Sequence, residues 1–201
     1  MDVKTWSFFF ACLSLACIAG VVTVIVGALV RRFGGDRDRF GGLVTDLRRA
    51  ALSLAWVVAA TSMLGSLYFS EVAKFVPCKL CWYQRICMYP LALILLIAAI
   101  RRDRGVRFYA GPLAAVGLVI AAYHTWIQAY PPTGGTSFCT LDAPCTERYV
   151  WEFGFVGIPF MALTGFAFIL TMMVVLRSGG DVSDEDALGE TASDIESRSV
   201  R

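Results

Sequence analysis

Long uncharged segments alternate with short charged loops along the first 177 residues of the chain. A helix needs roughly 20 apolar residues to cross the hydrocarbon of a bilayer. Four uncharged segments reach that length, namely residues 6–30, 50–70, 108–130 and 153–176. The first is longer than the apolar core of a cleaved signal peptide, so we expect it to remain as a helix. The pattern therefore predicts four transmembrane helices.

A fifth apolar segment, residues 86–100, is too short to span a bilayer by itself. Its 15 residues, at about 1.5 Å each, fall short of the roughly 30 Å hydrocarbon core. The segment reaches full length only if residues 80–85 are included. This extension places Arg85 just inside one edge of the bilayer, so a buried cation has to be explained.

Composition agrees with an all-α membrane protein. Hydrophobic residues make up 57% of the chain and charged residues only 17%, whereas soluble domains carry about 25% charged residues. The net charge of +2 gives no reason to expect a nucleic-acid partner.

Arginine is unevenly distributed between the loops. Residues 31–49 hold six arginines and residues 101–107 hold four. The two loops on the other side of a five-span chain hold only Lys74, Lys79 and Arg148 outside the predicted helices. Basic loops stay in the cytoplasm, so we expect an external N-terminus and a cytoplasmic C-terminus at the plasma membrane. The acidic segment 177–201 has no aromatic residue and is predicted to be a disordered cytoplasmic tail.

The seven cysteines fall into two groups. Three lie inside predicted spans, where a thiol usually serves as a small buried hydrophobe; they are Cys12, Cys17 and Cys87. The other four lie in the two external loops, in the compartment where disulfides persist; they are Cys78, Cys81, Cys139 and Cys145. The distribution of cysteine thus agrees with the orientation deduced from arginine.

Three interpretations of the four loop cysteines remain open. Two structural disulfides could staple the loops, or four thiolates could bind zinc, although the second pair is spaced more widely than zinc sites usually are. The third is redox chemistry. A C-x-x-C pair at a helix start has a lowered thiol pKa, and the thiolate is the form that exchanges disulfides. The second pair lies in a Gly- and Pro-rich stretch, residues 131–145, that could move to reach a soluble partner.

Redox chemistry at this position needs an electron acceptor. The sequence has no haem, flavin or iron–sulfur motif, so a lipid-soluble quinone is the natural candidate. Arg85 lies four residues after Cys81, on the same helix face. It could stabilise a thiolate and a quinone oxygen that becomes negative, or it could be an arginine that snorkels to the interface.

Two polar residues inside the fourth predicted span need a partner as well. His124 and Gln128 are separated by one helical turn, and intramembrane polar residues are candidates for function. They could handle protons beside a quinone or form a structural bridge between helices. Five aromatic residues could form an interface belt or the wall of a quinone pocket: Trp82, Tyr83, Tyr89, Trp126 and Tyr130.

Several ordered motifs in residues 50–176 resemble those of the disulfide bond formation protein B family (DsbB). They are PCKLCWYQR at 77–85, YHTWIQAYP at 123–131, PCTER at 144–148, FGF at 153–155 and IPF at 158–160. The last three are similar to the shorter-looped BdbC branch of that family.

The resemblance implies a four-helix transmembrane bundle that reoxidises an extracytoplasmic, DsbA-like thiol oxidase of thioredoxin fold. The electrons would pass to a membrane quinone, ubiquinone or menaquinone. Cys78 and Cys81 would then be the quinone-proximal pair, and Cys139 and Cys145 the partner-facing pair. By the same resemblance Arg85 would bind the quinone, with His124 and Gln128 near it.

Residues 1–49 have no counterpart in the four-helix family. We therefore expect a fifth, N-terminal helix packed on a bundle formed by residues 50–176, followed by the tail 177–201. Two rival functions remain. One is a vitamin K epoxide reductase-like enzyme, in which the C-x-x-C lies late in the chain. The other is a non-catalytic scaffold with disulfide-stapled loops, whose disulfides would resist reduction by a dithiol.

Overall fold

Five long helices form the computed structural model of the protein, which describes residues 3–33, 37–131 and 145–177. The helices are α1 (Val3–Arg32), α2 (Arg37–Leu67), α3 (Lys79–Arg101), α4 (Arg107–Ala129) and α5 (Ile158–Arg177). Each is long and apolar enough to cross a membrane. Within the described ranges there is no strand beyond one isolated bridge between Glu152 and Val156. The protein is thus an all-α, multi-pass membrane protein, as predicted.

The short fifth segment of the sequence is extended at its N-terminal end. Helix α3 begins at Lys79 and contains 23 residues, which at 1.5 Å each gives about 35 Å. Arg85 therefore lies inside a membrane-spanning helix. Before it, α2 continues through a π-helical turn, Tyr68–Val72, so the second span ends close to the C-x-x-C loop.

The last span is shorter than predicted. Uncharged sequence begins at residue 153, but α5 begins at Ile158. Phe153 and Gly154 have φ values of 52° and 79°, and a helix cannot continue through this left-handed backbone. The bridge between Glu152 and Val156 closes the turn. An apolar turn and an apolar helix have the same hydropathy, which is why the sequence pattern overestimated this helix.

The core of the bundle lies between α2, α3, α4 and α5. Its fully buried side chains include Leu91 and Leu95 of α3 and Phe166 and Ile169 of α5. Gly117 of α4 leaves the space for the Phe166 ring, because a Cβ at this position would collide with the ring. Small residues allow close helix approach in membranes, and here one glycine brings α4 and α5 together.

Helix α1 packs on the outside of this bundle, as expected for an additional N-terminal helix. It lies against α5 and α2. Only 17% of its most apolar 18-residue stretch is buried inside the protein. Glycines make both contacts possible, because Gly20 faces the Phe168 ring of α5 and Gly65 of α2 faces the Phe10 ring. The position of α1 along the bundle is therefore set by two interlocking contacts.

Candidate redox site

The two cysteines of the C-x-x-C motif occupy the start of α3. Cys78 is the N-cap residue, with extended backbone (φ −72°, ψ 171°), and its Sγ accepts a hydrogen bond from the backbone N–H of Cys81 at 3.4 Å. Both side chains are free thiols, and their sulfurs are 3.1 Å apart. The motif folds this way because an N-cap side chain can satisfy a free N–H of the first turn.

His124 of α4 lies against this pair and is almost completely buried. Its Nε2 is 3.7 Å from Cys78 Sγ and 3.2 Å from the backbone carbonyl oxygen of Cys145. Its Nδ1 is 3.2 Å from Gln84 Nε2. A neutral imidazole that accepts from the Gln84 amide carries its proton on Nε2, which then donates to the Cys145 carbonyl. His124 thus connects the C-x-x-C motif to the second cysteine loop.

Cys145 is in contact with the same site and is not exposed. It is disulfide-bonded and 2% exposed, and it belongs to one apolar cluster with Cys78, Leu80 and Ile127. Cys145 itself is therefore buried, and the expectation that residues 131–145 could move to reach a soluble partner stays a prediction. Its predicted partner, Cys139, lies outside the described residues.

The disulfide of Cys145 removes one of the open interpretations. A four-cysteine zinc site needs four thiolates, and Cys145 has no free thiol to offer. Three possible ligands remain close together, the thiols of Cys78 and Cys81 and the imidazole of His124, all within 4.8 Å of one another. These are also the atoms that dithiol chemistry would use.

The pKa of Cys78, just before the span that begins at Lys79, is lowered well below that of an ordinary cysteine. The largest cause is the hydrogen bond from the Cys81 thiol; burial opposes it, and His124 and the Cys81 backbone N–H lower the pKa further. The lowered pKa favours the thiolate of Cys78, the reactive form for disulfide exchange. This agrees with the prediction for a C-x-x-C pair at a helix start.

The lowered pKa predicts a flat pH profile for alkylation of Cys78. Iodoacetamide reacts with the thiolate, so its rate with Cys78 in the reduced protein should stay constant from pH 8 to pH 6. An ordinary thiol of pKa about 8.5 would lose about tenfold per pH unit over that range. Peptide-resolved mass spectrometry measures the rate.

Two substitutions at Cys81 provide the matched comparison. Cys81→Ala removes the main cause of the lowered pKa. In this variant the alkylation rate of Cys78 should fall with decreasing pH almost as steeply as that of an ordinary thiol, which is about tenfold per pH unit. Cys81→Ser retains a hydrogen-bond donor and should keep most of the flat profile. A wild-type rate that falls tenfold per unit between pH 8 and pH 6 would contradict the assignment of a thiolate.

Arg85 is held between α2 and α3. Its Nε donates to Ser66 Oγ at 2.8 Å, and its Nη2 donates to the Ser66 carbonyl oxygen at 3.0 Å. Its guanidinium lies over the Trp82 ring, 5.3 Å from the centroid. A snorkelling arginine extends towards water, whereas this one is tied to a neighbouring helix. Two of its five N–H groups are used in these bonds, which leaves donors for a ligand.

Gln128 holds a loop in place. Its Nε2 donates to the Glu147 backbone carbonyl oxygen at 2.9 Å, and the backbone carbonyl oxygen of Gln128 accepts from Arg148 Nη2 at 3.1 Å. Its Oε1 occupies the space that a Cβ at Gly157 would need. Of the two roles left open for Gln128, the structural bridge therefore fits these contacts. It joins α4 to the loop that carries Cys145.

One cavity of about 140 Å³ connects these side chains. The described residues predicted for the site all contribute to its lining, namely Cys78, Cys81, Arg85, His124, Gln128 and Cys145. Gln84 and Ser66, which hold His124 and Arg85, were not among the residues predicted for the site. Both are polar residues in predicted spans, and that signal could have identified them. Tyr89 also lines the cavity, and its buried hydroxyl has no hydrogen-bond partner among the described residues.

The arrangement defines a membrane dithiol–disulfide oxidoreductase, and comparison with known proteins specifies the family. The family model described as "Disulfide bond formation protein DsbB" matches residues 48–176, which is well over half of the chain. The protein therefore belongs to the DsbB family and acts in disulfide bond formation. This match decides against the vitamin K epoxide reductase-like and scaffold alternatives.

The curated relatives belong to the branch that the motifs indicated. Disulfide bond formation protein C of Bacillus subtilis is 48% identical over 126 residues, which cover 63% of this chain and 91% of that protein. A probable disulfide formation protein C 2 of Bacillus anthracis is 44% identical over 132 residues, 66% of this chain and 94% of that protein. No solved structure matches the chain.

Proposed function

We propose that this protein is a dithiol:quinone oxidoreductase that reoxidises an extracytoplasmic thiol oxidase of thioredoxin fold. The observation that carries the proposal is that a disulfide-bonded cysteine and a free cysteine lie in one buried cluster. Cys145, in a disulfide, packs against Cys78, a free thiol. Both line a cavity that also contains Arg85, so one site can exchange disulfides and pass electrons to a membrane acceptor.

The exchange begins at the second cysteine pair. A thiolate of the reduced partner attacks Cys139 of the proposed Cys139–Cys145 disulfide, and Cys145 leaves as a thiolate. The partner's second thiol then attacks the mixed disulfide. The partner leaves oxidised, and Cys139 and Cys145 remain as thiols. Cys139 is the member of the pair assigned to the partner, because Cys145 is buried.

The electrons then move to the C-x-x-C pair. Cys145 attacks Cys78 of an oxidised Cys78–Cys81 pair, and Cys81 leaves as a thiolate. Cys139 attacks Cys145 and releases Cys78. The products are a Cys139–Cys145 disulfide and two thiols at Cys78 and Cys81.

His124 and Arg85 stabilise the two negative charges that form during electron transfer. One is on the Cys78 sulfur and the other is on an oxygen of the quinone. The Nε2–H of His124 is close enough to interact with both Cys78 Sγ and the Cys145 carbonyl, so it stabilises a thiolate at Cys78 during the exchange. Arg85, one turn after Cys81 in α3, supplies a permanent positive charge to the cavity. Its fixed position means that little ordering is needed when a negative oxygen develops beside it.

The cavity fits a quinone head group in its chemistry. A quinone is a flat apolar ring with two carbonyl oxygens, and when bound it accepts two electrons and two protons from the dithiol. The cavity is lined mainly by apolar side chains and has a few hydrogen-bond donors, among them Arg85 and the Tyr89 hydroxyl, which has no partner within the described part of the chain. This combination is typical of small-molecule sites. Arg85 and Tyr89 are the residues that would hold the oxygens.

We also propose that the cysteine loops are extracytoplasmic and the C-terminus cytoplasmic. The arginine-rich loops support this orientation, and the exposed side chains of Glu71 and Arg104 mark opposite ends of the spans. A cysteine introduced by Glu71→Cys should react with an impermeant maleimide on intact cells. One introduced by Arg104→Cys should react only after permeabilisation, and the reverse result would overturn the orientation.

The proposed function is tested by mixing the purified, oxidised protein with a reduced thioredoxin-fold oxidase and a soluble quinone analogue. Quinone absorbance should fall by one equivalent for each partner disulfide formed, because each reaction moves two electrons. Omitting either the protein or the partner should stop the change. Partner oxidation without quinone consumption would contradict quinone as the acceptor.

A further inference from the structure

The inner face of α1 forms part of the cavity, although α1 lies outside the region that matches the DsbB family. Phe10, Ser14 and Cys17 lie at spacings of four and three residues, which places them on one side of a helix. All three are buried, whereas Cys12 on the same helix is exposed. The cavity beside the C-x-x-C motif is thus not built by the family's four helices alone.

Aromatic contacts fix α1 at this end of the bundle. The Phe10 ring occupies the gap above Gly65 of α2 and lies 5.6 Å from the Phe69 ring, centroid to centroid. One turn earlier in the chain, Trp6 lies 5.2 Å from Tyr68. These contacts join α1 to the end of α2 that precedes the C-x-x-C loop. They hold the Phe10 face against the cavity.

A second contact holds α1 deeper in the bundle. The Phe168 ring of α5 sits against Gly20, where a Cβ would lie 2.8 Å from the ring. Ser14 and Cys17 lie between the two glycine contacts, and from Phe10 to Cys17 the wall extends about 10 Å along the helix. The Ser14 hydroxyl donates a hydrogen bond to the Phe10 backbone carbonyl oxygen at 3.0 Å. Ser14 therefore adds no free hydrogen-bond donor to the cavity.

We propose that α1 is a structural part of the quinone-binding site. The face of α1 that is formed by Phe10, Ser14 and Cys17 limits the size of the quinone ring that the cavity can bind. The inference rests on the proposed function, since it takes the cavity as the acceptor site. It assigns to the extra helix a role in binding the apolar ring of a lipid quinone. The four-helix region supplies the redox groups, and α1 supplies the wall against which the ring lies.

Protection of Cys17 in the unmodified protein is the first test. N-ethylmaleimide crosses membranes, and peptide-resolved mass spectrometry follows each cysteine separately. A saturating quinone analogue should slow modification of Cys17 at least fivefold, because the analogue covers the α1 wall. Cys12, on the exposed side of the same helix, is the internal control and should react at the same rate with and without the analogue.

Narrowing the cavity from α1 is the second test. Ser14→Leu should raise the Kd of the quinone analogue at least tenfold, measured by quenching of tryptophan fluorescence. Cys12→Leu makes a comparable change on the exposed face and should leave the Kd unchanged. Disulfide exchange with the reduced partner should be retained in Cys12→Leu, because Cys12 lies outside the cavity.

The outcomes separate this inference from the proposed function. If the wild-type protein binds the analogue saturably but Cys17 is not protected, α1 is not part of the site, whatever Ser14→Leu does to folding. An unchanged Kd in a folded Ser14→Leu variant would also overturn the inference. If the wild-type protein neither binds nor reduces the quinone, the proposed function fails, and the role of α1 in binding fails with it.

Discussion

Replacing Cys145 with alanine is expected to abolish oxidation of the thioredoxin-fold partner while leaving part of the direct reduction of quinone by a small dithiol. Cys145 is the buried sulfur beside Cys78, so without it the partner's electrons have no covalent route to the C-x-x-C pair. Loss of an essential nucleophile lowers rates on the order of 10⁴-fold or more. A small dithiol can still reduce Cys78 and Cys81 directly.

Two assays on the same preparation measure the effect. One follows partner oxidation by quantifying partner thiols, and the other follows quinone absorbance with the small dithiol as the only reductant. Cys12→Ala is the matched control, because Cys12 is an exposed free thiol outside the cavity, and it should retain both activities. Equal loss of both activities in Cys145→Ala would argue against two cysteine pairs that act in sequence.

Replacing Arg85 with glutamine should severely impair quinone use without affecting the partner reaction. A hydrogen bond to a charged group contributes about 1.5–3 kcal/mol, which corresponds to about 10- to 150-fold in affinity or rate. Arg85→Lys keeps the charge but not the planar set of donors, so its loss should be smaller. Steady-state quinone reduction at varied quinone concentration gives kcat and KM for each variant.

Ser66 provides the matched control for Arg85. Ser66→Ala removes the Oγ that accepts from Arg85 Nε and leaves the carbonyl oxygen that accepts from Nη2. Because half of the anchoring is retained, the loss of quinone reduction should be only a few-fold. If Arg85→Gln retains the wild-type kcat and KM, Arg85 is an interface anchor and has no part in acceptor binding.

Local features of the chain were predictable because they depend on neighbours in sequence. Four of the five spans follow from uncharged length, and the fifth follows once residues 80–85 are added to the short apolar segment 86–100. The C-x-x-C motif at the start of α3 and Arg85 one turn later follow from helical periodicity. The start of α5 was missed because the turn at Phe153 and Gly154 depends on backbone dihedrals that hydropathy does not report. Cys139 and residues 178–201 lie outside the described part of the chain, so the statements about them stay sequence predictions.

Contacts between distant parts of the chain could not be derived from spacing. His124 is 46 residues from Cys78 and 21 residues from the Cys145 carbonyl it also approaches. The burial of Cys145 and the loop-anchoring role of Gln128 depend on how the segment after residue 144 folds onto α4. No periodicity in either segment carries that information.

By itself the sequence determined a five-span helical protein with paired cysteines at a helix start, because length, charge and 3.6-residue periodicity act locally. The tertiary structure alone decided that Cys145 is buried against Cys78, that Ser66 holds Arg85, and that α1 lines the cavity. These outcomes depend on which helix faces pack together. Helix packing in a membrane is set by small residues and shape, so the glycines that admit Phe10, Phe166 and Phe168 have meaning only in three dimensions.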